Sequence, residues 1–224
     1  MIAPVGRLKR SDIIYLSQHH CKHRHTYLEH YQCYLEEVKW RERRGYFDIE
    51  TFTSGFNADR GMLLCYCILD ADSDEIYGRS ITPDEIFDKK GGRDKKLVEE
   101  CVNHLREFDR IYTWYGSNFD IPWMRARAVK HGLQFIEHGA KYHKDLYYVG
   151  KKFKYASRSL ENMATQLLGS TRKTRFNYDR WLDAVLGDEV ALNEIFEHCK
   201  YDVQDLRDIH VVLEPYYAER DTSL

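Results

Sequence analysis

The stretch Gly45-Tyr46-Phe47-Asp48-Ile49-Glu50-Thr51 is a short apolar run that ends in two carboxylates one residue apart. On a strand, residues i and i+2 project from the same face, so Asp48 and Glu50 are expected side by side. Two carboxylates held that close repel each other unless a cation lies between them, and all-oxygen ligands suit Mg²⁺ or Mn²⁺. One such pair occurs by chance in many proteins, so its meaning depends on the acids that follow.

Working outward, the chain from Tyr46 onward alternates strand and helix, the pattern of an α/β domain. Met62–Leu69 reads as a second strand and Glu75–Arg79 as a third, close enough in sequence to be antiparallel neighbours. After Gly91-Gly92, Leu97, Val98, Cys101, Leu105 and Phe108 recur at helical spacing. Ile111–Tyr115 is expected as a strand, Gly116-Ser117-Asn118 as its turn, and a helix starts near Phe119 with Pro122 in its first turn. A looser basic region follows Tyr142. Helices are then expected at Ser159–Leu168 with Gly169 as C-cap, at Tyr178–Leu186 and at Val190–Leu213. Residues 1–42 form a separate His/Cys-rich extension, residues 43–218 the α/β domain, and 219–224 a frayed tail.

With 224 residues, 43% hydrophobic and 31% charged, the chain can bury one substantial core. A net charge of −2 does not mark a nucleic-acid binder. The basic residues are nevertheless clustered, at Arg41/Arg43/Arg44, Lys89–Lys96, Lys151/Lys152/Lys154 and Arg172/Lys173/Arg175, while part of the acidic charge belongs to candidate metal ligands. Taken singly, each basic cluster fits a solvated surface equally well. No apolar run is long enough to span a bilayer, and six scattered cysteines suit a reducing, cytoplasmic setting.

Two later segments complete the pattern. Asp120 stands at a helix start just after a strand, where side chains reach over a sheet end. On the last helix, Tyr201 and Asp205 are four apart and stack on one face; Asp202 and Asp208 fall on other faces, which favours Asp205 as the inward acid. Asp48-Ile49-Glu50, Asn118-Phe119-Asp120-Ile121-Pro122 and Tyr201-x-x-x-Asp205 together resemble the three motifs of the DEDD superfamily of 3′–5′ exonucleases, which have a ribonuclease-H-like (DnaQ-like) fold with a mixed central sheet flanked by helices. Lys200 occupies the position where the histidine class carries its histidine, so Tyr201 points to the tyrosine (DEDDy) class. Asp145-Leu146, Ser159-Leu160-Glu161 and Leu168-Gly169 are similar to the connector of the branch containing bacterial and phage predicted exonucleases and family B polymerase proofreading domains; Asp145 is read there as a structural acid.

The resemblance implies a metal-dependent hydrolase that shortens single-stranded nucleic acid from its 3′ end, DNA favoured over RNA, with two Mg²⁺ or Mn²⁺ ions. It places Asp48, Glu50 and Asp205 on the ion that generates hydroxide, Asp48 and Asp120 on the ion facing the leaving oxygen, and Tyr201 on the attacking water. A replication or DNA-repair protein is an expected partner. The 224 residues leave no room for a polymerase domain, and a monomer is the default expectation. A ribonuclease or structure-specific endonuclease is the nearest alternative, and a catalytically silent nucleic-acid-binding adaptor the more distant one. Lys151–Arg158 and Arg172–Arg175 are expected to flank the strand, with Trp114, Tyr115 and Trp123 as candidate stacking platforms.

Residues 19–33 carry His19, His20, Cys21, His23, His25, His30 and Cys33. Cys21, His25 (or His23), His30 and Cys33 are a candidate tetrahedral structural Zn²⁺ site, although the spacing matches no standard zinc finger.

Overall fold

A computed structural model describes residue 8 and residues 10–38, 41–53, 57–217 and 222–223. Two short helices come first, α1 (Arg10–Gln18) and α2 (Tyr31–Glu37), followed by strands β1 (Arg44–Phe52), β2 (Met62–Asp70) and β3 (Ile76–Ser80). Next are α3 (Pro83–Phe87), α4 (Lys95–Glu107), β4 (Arg110–Thr113), α5 (Asp120–Lys130), β5 (Tyr142–Asp145) and α6 (Leu146–Gly150). The chain continues with α7 (Leu160–Leu168), α8 (Tyr178–Val185), the long α9 (Glu189–Leu213) and a two-residue β6 (Thr222–Ser223).

The strands form one mixed sheet in the order β3-β2-β1-β4-β5-β6. β1 runs antiparallel to β2 and parallel to β4, so it lies where the antiparallel hairpins meet the parallel half. Every residue of β2 is buried, because helices cover both faces of the sheet. The phase of β2 identifies those faces. Tyr66 reaches His104 on α4, whereas the Cys65 thiol reaches the Ile195 carbonyl on α9. Glu50 pairs with Cys65 and Asp48 with Cys67, so strand alternation points both carboxylates to the α9 side.

The helical periodicity read at Leu97, Val98, Cys101 and Leu105 matches the buried stripe of α4. Gly169 ends α7 in the left-handed region at φ 83°, as a C-cap glycine should. Three expectations differ from the structure. Strand β4 stops at Thr113, because Tyr115 takes φ 66° and a left-handed residue cannot continue a strand. The basic region after Tyr142 contains β5 and α6, whose four- and five-residue lengths carry too little periodicity to register. Within the expected tail, Thr222 and Ser223 pair with β5, while 219–221 and 224 lie outside the described residues.

One buried charge network ties β2 to the helices on the α4 side. Asp94, fully buried at the start of α4, accepts hydrogen bonds from the Leu63 amide (2.8 Å) and Arg127 Nε (3.0 Å), and pairs with His131 (2.9 Å). Asp94→Ala would leave the Arg127 guanidinium buried without its counter-charge. The expected loss is about 3–5 kcal/mol of unfolding free energy, measured by chemical denaturation.

A second prediction concerns His210, buried between Tyr46 and Tyr217 and bonded to both hydroxyls. Burial pushes its pKa down to about 4. The unfolded chain therefore takes up this proton first, and stability is lost as pH falls from about 6.5 towards 4. His210→Gln lacks that proton. Its stability deficit relative to the wild type is expected to shrink by about 2 kcal/mol between pH ~7.5 and pH ~5.

Candidate active site

Asp120 is the first residue of α5, and it is buried. The turn before it is held in shape by Asp145, whose carboxylate accepts from the amides of Tyr115 (2.8 Å) and Ser117 (2.9 Å). Gly116 is required within this turn because a Cβ there would stand 2.4 Å from the Thr113 side chain. The same Asp145 caps α6 by accepting from the Tyr147 amide at 3.1 Å. This geometry brings Asp120 Oδ1 within 3.3 Å of the Ile49 amide, placing it between the two β1 acids in chain position.

From the other side, α9 contributes His198, Cys199 and Asp202. The Cys199 thiol donates to Asp48 Oδ2 at 3.5 Å. His198 Nε2 lies 3.5 Å from Glu50 Oε1 and 3.9 Å from Asp202 Oδ2, while its Nδ1 is 2.7 Å from Thr174 Oγ1. Glu50, His198 and Asp202 each offer a ligand atom within 4.8 Å of the others. Lys173 extends its ammonium group to Asp202 Oδ2 at 2.7 Å.

Electrostatics follow from this crowding. Burial, then the charges of Asp120, Glu50 and Asp202, holds Asp48 well above the usual carboxylate range. Burial likewise raises Glu50 well above its ordinary value, against the pull of Lys173. Asp120 is pushed up to about 7 by burial, despite stabilising amide hydrogen bonds. Burial opposes the Lys173 charge, but Asp202, Asp48 and Glu50 outweigh it and keep its pKa raised. Burial lowers His198, favouring the neutral imidazole. Among the described residues, Asp202 Oδ1 is buried without a hydrogen-bond partner. Crowded carboxylates with raised pKa values and one unpartnered buried oxygen make a donor set that fits divalent cations.

The structure thus brings together Asp48, Glu50 and Asp120 of the expected set, but not the expected pair on the last helix. Asp205 is buried and occupied elsewhere, accepting from Thr171 Oγ1 (2.7 Å), the Arg172 amide (3.0 Å) and Arg172 Nη1 (2.6 Å). Tyr201 is half-buried and makes no side-chain hydrogen bond to the cluster. The α9 acid that shares the field of Asp48, Glu50 and Asp120 is Asp202. A signal for it exists in the sequence: His198 and Asp202 have the same four-residue spacing as Tyr201 and Asp205. Two further residues escaped sequence reasoning: Lys173, read only as part of a basic cluster, and His198, whose spacing was measured from Asp205 and so set it aside.

Two other expectations are revised. Trp123 is buried in the core and offers no stacking face. Trp114 and Tyr115 instead line a shallow groove of about 440 Å³ with Tyr147 and Arg158. In the N-terminal segment, the ligand atoms of Cys21, His23, His30 and Cys33 converge. His25 packs its ring edge-on against His30 and lies outside that group.

Residues 45–214 match the family model of the RNase H superfamily, and the chain belongs to that superfamily. A DNA polymerase of Methanocaldococcus jannaschii is 26% identical, over 59% of this chain and 10% of the polymerase. The family B DNA polymerase of the hyperthermophilic archaeon Pyrobaculum calidifontis superposes with a TM-score of 0.64 at 16% identity, covering 79% of this chain and 25% of that one. The chain therefore spans about a tenth and a quarter of these two relatives. Together they show a ribonuclease-H-like fold, a mixed sheet flanked by helices. No helix among the described residues is long and apolar enough to cross a membrane.

Proposed function

We propose that this protein is a metal-dependent 3′–5′ exonuclease acting on single-stranded nucleic acid, with Asp48, Glu50, Asp120 and Asp202 as its acidic set. The observation that carries this reading is the convergence of half-buried Asp48 and Glu50 on β1 with buried Asp120 on α5 and Asp202 on α9, whose Oδ1 is unpartnered. Asp48, Glu50 and Asp202 would hold one divalent ion and Asp48 with Asp120 a second. When bound, such ions supply positive charge to the attacking and leaving oxygens of a phosphodiester.

The chain's own residues do the rest. Neutral His198, fixed by Thr174 and facing Glu50 and Asp202, is placed to orient a water or accept its proton. It stands four residues before Asp202, the spacing of the tyrosine class, with imidazole where that class has phenol. Lys173 offsets the carboxylate charge while no cation is present, and can turn its ammonium to a scissile phosphate when one is.

Substrate grip is supported by two surfaces. The Trp114/Tyr115/Tyr147 groove offers half-exposed aromatic faces beside the turn that carries Asp120. Beyond Phe52, at the end of β1, a cavity of about 830 Å³ is lined by Arg60, Lys89, Arg93 and Lys130, a setting suited to a polyanion.

The test is a time course on 5′-labelled single-stranded DNA and RNA of equal sequence, with Mg²⁺, Mn²⁺ or EDTA. A metal-dependent ladder shortening from the 3′ end is expected, faster on DNA. Cutting of circular strands would move the reading to an endonuclease. Binding without cleavage would leave an adaptor.

A further inference from the structure

We propose that Cys21, His23, His30 and Cys33 form a structural Zn²⁺ site that clasps the N-terminal segment, separate from the acidic cluster. His23 Nδ1 lies 3.2 Å from Cys33 Sγ, and His30 Nδ1 lies 3.5 Å from Cys33 Sγ and 3.9 Å from Cys21 Sγ. All four ligand atoms fall within 4.8 Å of one another. Zinc bonds to nitrogen and sulfur of ~2.0–2.3 Å place tetrahedral ligands about 3.3–3.8 Å apart, so the spacings seen here bracket the edges of that tetrahedron. Two thiolates and two imidazoles are a donor set for zinc, not for the hard oxygen-seeking ions of the acidic site.

The backbone is shaped to present these ligands. His20 and Thr26 form an antiparallel bridge, and the Arg24 amide donates to the Cys21 carbonyl at 2.8 Å. Arg24 takes φ 69°, a left-handed turn that folds His23 back beside Cys21. His30 occupies the N-cap of α2 yet makes no side-chain capping bond; its ring is turned to the two sulfurs instead. Cys33 follows one turn later, on the same side.

The energetic need is equally plain. Among described residues 8–38, the buried apolar side chains are Leu16, Cys21, Cys33 and Tyr34, and two of these four are the cysteines themselves. A segment of that size with so small a core requires a staple. A disulfide would be the alternative staple, but both cysteines are free thiols. With zinc bound, the hairpin at 19–27 is tied to α2 at two points, Cys21/His23 on one side and His30/Cys33 on the other.

Elemental analysis of the full chain, purified without chelators, is expected to find about one zinc per chain. The Co²⁺-substituted wild type should show thiolate-to-cobalt charge transfer and the intense visible bands of a tetrahedral ion. Cys33→Ser and His23→Asn should each lower Zn²⁺ affinity at least about tenfold. His25→Asn and Asp48→Asn should leave zinc content unchanged. A zinc-free wild type without tetrahedral cobalt bands, or a Cys21–Cys33 disulfide found by mass spectrometry, would overturn the site. So would zinc retained in Cys33→Ser but lost in Asp48→Asn, which would assign the metal to the acidic cluster. None of these readouts depends on nuclease activity, so the clasp and the exonuclease reading stand or fall separately.

Discussion

Asp48→Asn is expected to abolish nuclease turnover while making the metal-free protein more stable. Asp48 belongs to both proposed ion sites, so its loss should exceed the about 10²–10³-fold cost attached to removing a single transition-state donor. The opposite effect on stability follows from the metal-free electrostatics. Burial and three neighbouring carboxylates already hold Asp48 well above its ordinary pKa, so the folded state bears the ionised form at a penalty. An amide of the same shape removes that repulsion and still accepts from the Cys199 thiol. A gain of about 1–2 kcal/mol is expected near neutral pH, read by denaturation in EDTA. Adding Mn²⁺ should stabilise the wild type and leave Asp48→Asn nearly unmoved. If the variant keeps wild-type activity, the site is not where phosphodiester chemistry occurs. If it is inactive because it is unfolded, the denaturation curve shows that directly.

The second large effect separates two acids three residues apart on α9. Asp202→Asn should lower kcat at least about 10³-fold with the fold intact, because the residue faces Glu50, His198 and Lys173. Asp205→Asn should do the reverse, keeping most activity and costing about 1.5–3 kcal/mol of stability. Its carboxylate anchors Thr171 and Arg172, and so fixes the segment that delivers Lys173 to Asp202. A steady-state assay beside a denaturation curve for each variant distinguishes the two roles. Full activity in Asp202→Asn with none in Asp205→Asn would restore the Tyr201/Asp205 assignment.

The contrast marks how far local pattern carries. Asp48 and Glu50 were legible because strand alternation has a period of two, and a two-residue spacing leaves only one relative placement. Asp120 was legible because a strand, a glycine turn and a proline-marked helix start place its acid over the sheet end. The convergence of cysteines and histidines in the first forty residues was legible as composition. Choosing His23 over His25 required the left-handed turn at Arg24, which no non-glycine residue announces.

Sequence by itself determined the α/β class and the order of its longer elements, the apolar stripe of α4, and three of the four converging acids. Tertiary structure decided the fourth. Residues 202 and 205 lie about 60° apart around a helix of 100° per residue, and both are buried, so periodicity cannot rank them. Their different surroundings are set by how α9 rests on β1 and β2 through Ile195 and Cys199, and by a loop some thirty residues upstream that returns to cap Asp205 with Thr171 and Arg172. Those contacts join residues far apart in the chain, and only the packed fold brings them into reach.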